Sequence, residues 1–264
     1  MYLTIFKQMS TTRNAPLAAR SVLASVLLGT DPAWLPTPRL IRTAELFGIS
    51  EGTARTALSR MAAAGEAEAL EGGYRLIGRL AERQERQSAS RRATTLPWDG
   101  TWELAMVQGG PGRPADARAL LRESVRQLRF GELREGVWTR PDNLDPHRTP
   151  EAAHVVGSWC TWWRGAEPSH EPDVDELFQT DDWMVVAEEL QAEMDDLLAP
   201  LDAGDPTALA PGFVTSAAVL RHLQADPLLP PELLPDDWPG EALRGAYDRY
   251  DTAYRSVLRA WLHH

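Results

Sequence analysis

Residues 37–78 carry the pattern that most restricts how this chain can fold. Apolar residues recur at helical spacing over 38–47, and Gly48 interrupts the repeat. Ser50 then stands where its side chain can cap a further helix, which extends to about Ala64. Two helices joined by so short a turn predict a helix-turn-helix.

A helix before this pair and a hairpin after it extend the pattern. Residues 17–29 have an apolar stripe at helical spacing, and the proline-rich stretch 31–38 indicates a turn. Two strand-like segments, 66–70 and 74–78, flank a glycine turn. Helix, helix-turn-helix and hairpin follow each other in the order of a winged helix-turn-helix, which we expect to occupy residues 1–80.

The charge of this N-terminal part is opposite to that of the remainder. Residues 1–96 contain 13 basic and 8 acidic side chains, a formal charge of +5, whereas the remainder contains 14 basic and 30 acidic side chains, a formal charge of −16. A basic region attached to an acidic body confines attraction for a phosphate backbone to one end of the molecule. We therefore predict double-stranded DNA as the partner of the N-terminal domain.

The outward face of the third helix, 51–64, has the chemistry that base reading needs. Ala54, Leu58 and Met61 fall on one buried side, which leaves small, hydroxyl and arginine residues on the other. Small residues allow close approach to base edges, while hydroxyls and guanidiniums donate to bases and phosphates. A solvated polar face is the alternative for this helix taken alone. The residues predicted to contact DNA, including arginines of the second helix and the hairpin, are Arg39, Arg42, Gly52, Thr53, Arg55, Thr56, Ser59, Arg60 and Arg75.

Beyond residue 80 the sequence predicts two further domains and an α+β fold class. The spacing indicates strands over 101–107, 131–140 and 152–163, with a helix over 115–130, which suggests a ferredoxin-like α/β sandwich. Helical patterns over 173–199, 213–225 and 240–262 follow. The predicted divisions are a linker helix at 81–96, the sandwich at 97–170 and a helical C-terminal domain at 171–264.

Several classes of protein are disfavoured by composition. No apolar run reaches the roughly 18–20 residues that cross a bilayer, and the first residues are too polar for a signal peptide. The single Cys160 excludes an internal disulfide, and the histidines lack metal-ligand spacing. We expect a cytoplasmic protein that needs no metal or cofactor.

A ligand site is a weaker expectation. The glycine-rich loop 109–114 precedes a helix whose N-terminus could receive a phosphate, although a plain flexible turn fits the loop better. A dense tryptophan group could line an apolar pocket, although core packing and burial on a strand face explain it better. The ligand residues predicted on this basis are Arg113, Arg118, Arg122, Trp159, Trp162 and Trp163.

Five segments resemble the phenylacetate-catabolism repressor (PaaX-like) family of bacterial transcriptional regulators. The resemblance covers nearly the whole chain in order, and its C-terminal proline-punctuated motif is specific. The segments are ARSVLASVLLG (19–29), AELFGISEGTARTALSRMAAAG (44–65), PWDGTWELAMV (97–107), FGELREGVWTRPDNL (130–144) and DPLLPPELLPDDWPG (226–240).

This resemblance implies a winged helix, a middle domain similar to the CRISPR spacer-acquisition nuclease fold, and a helical C-terminal domain. It also implies a homodimeric repressor of an aromatic-acid operon, released by an acyl-CoA thioester such as phenylacetyl-CoA. A dimer of winged helices predicts an operator with an inverted repeat. We expect the ligand between the middle domain and the C-terminal helices.

Two alternatives remain. A metal-dependent nuclease of this fold needs a carboxylate at the end of its first strand, where this chain has Gln108 and glycines. A fold without its site does not carry the function, so we expect no enzyme. The other alternative is a transcriptional adaptor without an effector.

Overall fold

The structure is a computed structural model and has an α+β fold, as predicted. Helices predominate over two small antiparallel sheets. It describes residues 18–30, 34–78, 80–82, 84, 90–109, 114–145 and 147–263. The chain divides into two compact units, the first comprising residues up to Arg92 with Met184–Ala225 and Pro239–His264, and the second comprising Ala93–Trp183 with Asp226–Trp238.

The N-terminal part of the first unit has the predicted order of helix, helix-turn-helix and hairpin, with one strand added. The three strands form an antiparallel sheet in the order β1-β3-β2. The elements are α1 (Ala19–Leu28), β1 (Trp34–Pro36), α2 (Thr37–Glu45), α3 (Glu51–Ala63), β2 (Ala67–Leu70) and β3 (Gly73–Leu76).

The three helices share one apolar core. Leu23, Leu27, Leu40 and Leu58 are fully buried in it. Each such side chain stabilises the folded state by about 1.5–3 kcal/mol relative to an exposed one. The Ser50 side chain accepts a hydrogen bond from the backbone N–H of Thr53 at 3.3 Å, which caps α3 at the predicted residue.

Strand β1 lies in the stretch where the sequence predicts only a turn. Leu35 pairs with Tyr74 and Pro36 with Gly73, which places β1 at an edge of the sheet, where a proline is tolerated. A Cβ atom on Gly73 would lie 2.4 Å from the Leu35 carbonyl oxygen, so glycine permits the close approach of β1. A three-residue strand that contains proline is too short to show alternation in the sequence.

The sheet of the second unit has the topology of a ferredoxin-like sandwich. The strands follow the order β5-β6-β4-β7 and are all antiparallel, in a βαββαβ sequence. Helices and sheet enclose a core that includes Ala105, Leu121, Val125 and Val156. The elements are β4 (Trp102–Val107), α4 (Ala115–Gln127), β5 (Gly131–Arg134), β6 (Val137–Pro141), α5 (Pro150–Trp159) and β7 (Cys160–Ala166).

Two predictions in this domain are wrong. Residues 152–163 are not one strand, because the helix α5 continues to Trp159 and only then does β7 begin. Ala152 and Val156, four residues apart, are its buried positions, a helical spacing that the β-branched and aromatic composition hides. Residues 131–140 form a hairpin instead of one strand, since Gly136 adopts a φ of 76° between β5 and β6.

The C-terminal region is helical, as predicted. Two 3-10 turns, Pro206–Ala208 and Pro231–Leu233, separate its later helices. No helix in the described part of the chain combines the length and apolarity needed to span a membrane. The α-helices are α6 (Val174–Phe178), α7 (Thr180–Asp202), α8 (Leu209–Leu223) and α9 (Gly240–His263).

Candidate nucleic-acid interface

Helix α3 presents to solvent the face that the sequence analysis assigns to DNA. Its core side holds Ala54, Leu58 and Met61, which are at most 1% exposed. The other side is a continuous polar surface at the helix start and along its length. The exposed residues on this surface are Gly52, Thr53, Arg55, Thr56, Ser59 and Arg60.

The small residues of this face leave the helix backbone open. A Cβ atom built on Gly52 would meet no atom within 4 Å, so packing within the protein does not require glycine there. The Thr56 hydroxyl donates to the Gly52 carbonyl at 2.8 Å, and the Ser59 hydroxyl donates to the Arg55 carbonyl at 3.0 Å. Both hydroxyl oxygens retain acceptor capacity, and the hydroxyl hydrogens can rotate toward an external acceptor.

Arg55 can exchange its present partner at little cost. Its Nε lies 2.8 Å from an Oε atom of Glu51, one helical turn earlier, and both side chains are more than half exposed. An exposed pair of this kind contributes about 0.3–0.5 kcal/mol. A bidentate contact with a guanine base is worth about 1–3 kcal/mol of discrimination, so a base edge can replace Glu51.

The remaining predicted arginines occupy different environments. Arg39 on α2 and Arg60 on α3 are exposed, and Arg75 on β3 forms an ion pair with Glu68 of β2. Arg42 differs from these three because its guanidinium lies 4.8 Å from the ring centroid of Trp261 on α9. Its Nε is buried and has no hydrogen-bond partner among the described residues. The contact with Trp261 therefore holds the Arg42 side chain within the first unit.

Helices α8 and α9 pack against the helix-turn-helix, a feature that the sequence analysis missed. Phe47 and Phe213 form an edge-to-face pair with ring centroids 4.9 Å apart. Arg91 donates to Asp248 at 2.6 Å and to Asp251 at 3.1 Å. The two acidic residues lie one turn apart on α9, but no periodicity in the sequence indicates which arginine they meet.

A cavity of about 450 Å³ opens between these elements. Helix α1 and Leu35 of β1 form one part of its wall, and α8 and α9 form the other. Arg91 and Arg92, which follow the N-terminal domain in sequence, complete it.

The predicted ligand residues are dispersed around the second unit. Arg118 and Arg122 are exposed on α4, and Arg113 lies outside the described residues. Trp159 and Trp162 pack against the core between helices and sheet. The register pairs Trp162 with Ala105 and Trp163 with Leu104, so the two indoles lie on opposite faces of the sheet, with Trp163 56% exposed. The structure does not bring the three tryptophans to one surface.

Trp162 instead belongs to a buried polar network. Its Nε1 donates to Glu103 at 2.8 Å, and Glu103 lies 3.8 Å from Arg140. Burial raises the pKa of Glu103 in spite of the opposing charge of Arg140. Burial also lowers the pKa of Arg140 to about 10, although Glu103 counteracts this shift. Arg140 donates to the carbonyls of Leu128 and Pro141, which ties the network to the backbone.

At the end of β4, the position of the nuclease carboxylate, Gln108 donates from Nε2 to the Thr161 hydroxyl at 2.9 Å. Across the described ranges, no group of three histidine, cysteine or acidic side chains is arranged to hold a metal ion.

Comparisons with known proteins cover most of the chain. Residues 18–84 match the model of the PaaX-like protein family, 95–172 match the PaaX protein central Cas2-like domain, and 178–264 match the PaaX-like protein C-terminal domain. A solved structure of an uncharacterized protein from Mycobacterium tuberculosis is similar, with 41% sequence identity and a TM-score of 0.69. The alignment covers 92% of this chain and 98% of that chain. No curated protein matches.

Proposed function

Because the chain belongs to the PaaX-like family, which indicates a transcriptional regulator, we propose that it is a homodimeric repressor of an aromatic-acid or related catabolic operon. In this proposal an acyl-CoA thioester releases it from double-stranded operator DNA in the cytoplasm. A regulator that acts by binding alone needs no catalytic residue.

The exposed face of α3 is the observation that carries the DNA-binding part. Gly52 leaves the start of the helix without a side chain, and Thr53 and Thr56 follow on the same surface. A helix with small residues at its N-terminal end can enter the major groove closely enough for its side chains to reach base edges. In this proposal Arg55 reads a base, and the exposed ion pair with its present partner Glu51 is weak enough to be replaced.

The flanking arginines supply the sequence-independent part of the affinity. Arg39 precedes α3 on α2, Arg60 lies in the last turn of α3, and Arg75 lies on the hairpin. Three arginines around one helix can bind the phosphates on both sides of a groove. The formal charge of +5 over residues 1–96 favours this approach, whereas the charge of −16 elsewhere disfavours contact by the body.

Fluorescence anisotropy with the DNA upstream of the protein's own gene tests the DNA-binding part. We expect the wild-type protein to bind one fragment more tightly than competitor DNA, with an affinity that falls as salt rises. Arg60→Ala should lower the slope of log K against log salt by about 0.9, the contribution of one phosphate. Arg249→Ala, which removes an exposed arginine from α9, is the matched control and should leave the slope unchanged.

Titration of the protein–DNA complex with phenylacetyl-CoA and other acyl-CoA thioesters tests the effector part. Release of DNA by one thioester, with no release by CoA itself, is the expected result. Release by none of them would leave a DNA-binding protein without this class of effector. Equal affinity for every DNA fragment would contradict the repressor itself.

A further inference from the structure

The cavity of the first unit has the dimensions of a small-molecule site. Its volume of about 450 Å³ falls within the range of about 300–1,000 Å³ that is typical of ligand pockets. The walls come from parts of the chain far apart in sequence, with α1 on one side and the paired helices α8 and α9 on the other. None of the residues predicted from the sequence to bind a ligand lines it.

One part of the wall is apolar. Phe213 packs against the core of the N-terminal domain, and Ala217 and Leu220 follow it on α8 at the spacing of one helical turn. Ala217 leaves room where a larger residue would project. An apolar group that enters displaces water from this surface, which stabilises the complex in proportion to the area covered. The apolar residues of the wall include Val26, Leu28, Phe213, Ala217, Leu220 and Leu258.

The other part of the wall carries an excess of positive charge. Its charged residues in the described chain are four arginines and two aspartates, although the whole protein is acidic. Asp251 is shared between Arg91, at 3.1 Å, and Arg255, at 2.9 Å, so two guanidiniums meet one carboxylate. The charged residues are Arg91, Arg92, Arg221, Arg255, Asp248 and Asp251.

The tyrosines between the two parts are neutral donors and acceptors. Burial raises the pKa of Tyr247 and of Tyr254 well above its usual range. The Tyr247 hydroxyl lies 2.8 Å from the Ser216 hydroxyl, and Arg91 lies over its ring. A ligand with an apolar body and an oxygen-rich end therefore meets matching surfaces, whereas a cation or a fully polar ligand does not.

We propose that this cavity binds the apolar acyl group of a small carboxyl compound, with the carboxylate or thioester oxygen toward the arginines. Because Thr43 of α2 and Leu35 of β1 also line it, occupancy changes the packing of the helix-turn-helix on α8 and α9 and so changes the affinity for DNA. The coupling of ligand binding to DNA affinity rests on the proposed function. The binding site for the acyl group does not depend on that function.

Calorimetric titration of the full chain with benzoate, phenylacetate and hexanoate, and with their CoA thioesters, tests the site. We expect saturable binding of at least one probe. Ala217→Trp, which fills the cavity from α8, should weaken it by about tenfold or more. Ala242→Trp, at an exposed position of α9 outside the cavity, should not. Binding by acids alone or by thioesters alone identifies the source of the acyl group, and either result supports the site.

A charge-altering pair keeps the test decisive if the tryptophan variant fails to fold. Arg221→Gln changes an exposed side chain at the polar end and should weaken binding of the same probe, whereas Arg249→Gln, outside the cavity, should not. No binding by any probe to folded wild-type protein would overturn the site. Binding that neither Ala217→Trp nor Arg221→Gln weakens would also overturn it.

DNA affinity measured on the same proteins separates the two proposals. A probe that binds the wild-type protein without changing DNA affinity overturns the coupling. A protein that binds the probe at this cavity but prefers no DNA sequence retains the site and contradicts the repressor. Sequence-specific DNA binding without probe binding retains the repressor and contradicts the ligand site.

Discussion

Gly52 is a position where packing within the protein does not require glycine, whereas the proposed DNA contact does. Its position in α3 is helical and exposed, with no neighbour within 4 Å of an added Cβ. Glycine weakens a helix relative to alanine, so its presence there costs stability without improving packing. In the proposed complex DNA approaches the helix backbone closely, and glycine suits that approach.

We expect Gly52→Ala to raise the free energy of unfolding by about 0.4–1 kcal/mol and to weaken operator binding. The methyl group removes backbone freedom from the unfolded chain but occupies the space of a base edge. Gly245→Ala on α9, where the nearest atom lies 3.9 Å away, is the matched control and should change stability alone. Chemical denaturation and anisotropy measure the two quantities. Unchanged operator affinity for Gly52→Ala would argue against close contact at this residue.

Base reading and backbone holding should separate in the same assay. Thr56→Ala or Arg55→Ala should reduce discrimination between operator and mutated operator by about 1–3 kcal/mol. Arg75→Ala should weaken both sequences alike, because a phosphate contact carries no sequence information. Equal loss on both sequences for all three variants would contradict this assignment.

The sequence identified the exposed residues of α3, because a regular helix with a buried stripe fixes which side chains face outward. It did not place Arg42, whose guanidinium stacks on Trp261. Two residues so far apart in sequence share no periodic signal. A long basic side chain is also compatible both with an exposed position and with packing on an aromatic ring. We therefore expect substitution of Arg42 to act through packing of α9.

At the scale of elements, prediction succeeded where one spacing dominated a segment. Helix α3 and the β2–β3 hairpin are bounded by Ser50, Gly65 and Gly72, and each of these fixes an end. Helix α5 was missed because its apolar residues are mostly β-branched or aromatic and run directly into β7. The β propensity of these residues favours a strand. Burial of Ala152 and Val156 in the core instead stabilises a helix over this segment.

The Arg140 network joins β4 and β6 and should respond strongly to loss of its cation. Arg140→Met removes the hydrogen bonds to Leu128 and Pro141 and leaves Glu103 with the half-exposed Arg164, 3.7 Å away on β7, as its remaining cation. Removing one partner of a buried pair costs about 3–5 kcal/mol when the remaining charge is uncompensated, and the remaining Arg164 places the expected cost at the lower end of this range. Arg134→Met on β5, where the side chain is exposed, should cost less than about 0.5 kcal/mol.

The cost of Arg140→Met should depend on pH. Burial already raises the pKa of Glu103 in the folded protein, and loss of Arg140 raises it further. Below about pH 4.3, the ordinary pKa of glutamate, Glu103 is protonated in both states and its charge costs nothing. In the wild type the cost of this charge grows as pH rises from there to the raised folded-state pKa of Glu103, and the variant raises that pKa further. The extra penalty of Arg140→Met therefore grows between the folded-state pKa of Glu103 in the wild type and its higher pKa in the variant. Denaturation at acid and neutral pH measures it, and a penalty independent of pH would exclude Glu103 as its source.

At the scale of the whole molecule, the charge distribution was readable from the sequence but the grouping of helices was not. The sequence predicts a helical C-terminal domain at 171–264. Two parts of this region, Met184–Ala225 and Pro239–His264, lie in the same compact unit as the N-terminal residues. The contacts responsible, such as Phe47 with Phe213, are long-range pairs that leave no local pattern, so the cavity between them was also missed.

A dimer on DNA should require a fixed spacing between half-sites. Two winged helices on the same face of the duplex prefer an inverted repeat with centres about one or two turns apart, roughly 34 Å per turn. Insertion of about five base pairs between the half-sites places them on opposite faces and should abolish cooperative binding. Light scattering on the complex gives the stoichiometry. One protomer per operator at micromolar concentration would contradict this arrangement.

The contact between Arg42 and Trp261 also bears on how the protein is made. During synthesis the helix-turn-helix leaves the ribosome long before α9, and domains usually begin to fold in that order. The module can form its own core early, but the Arg42 guanidinium has no indole to cover until α9 emerges. Contact between α9 and α2 closes a loop of more than two hundred residues, and forming such a contact is slow compared with forming a helix. A nascent chain therefore acquires the exposed face of α3 before it acquires the helices that enclose the cavity.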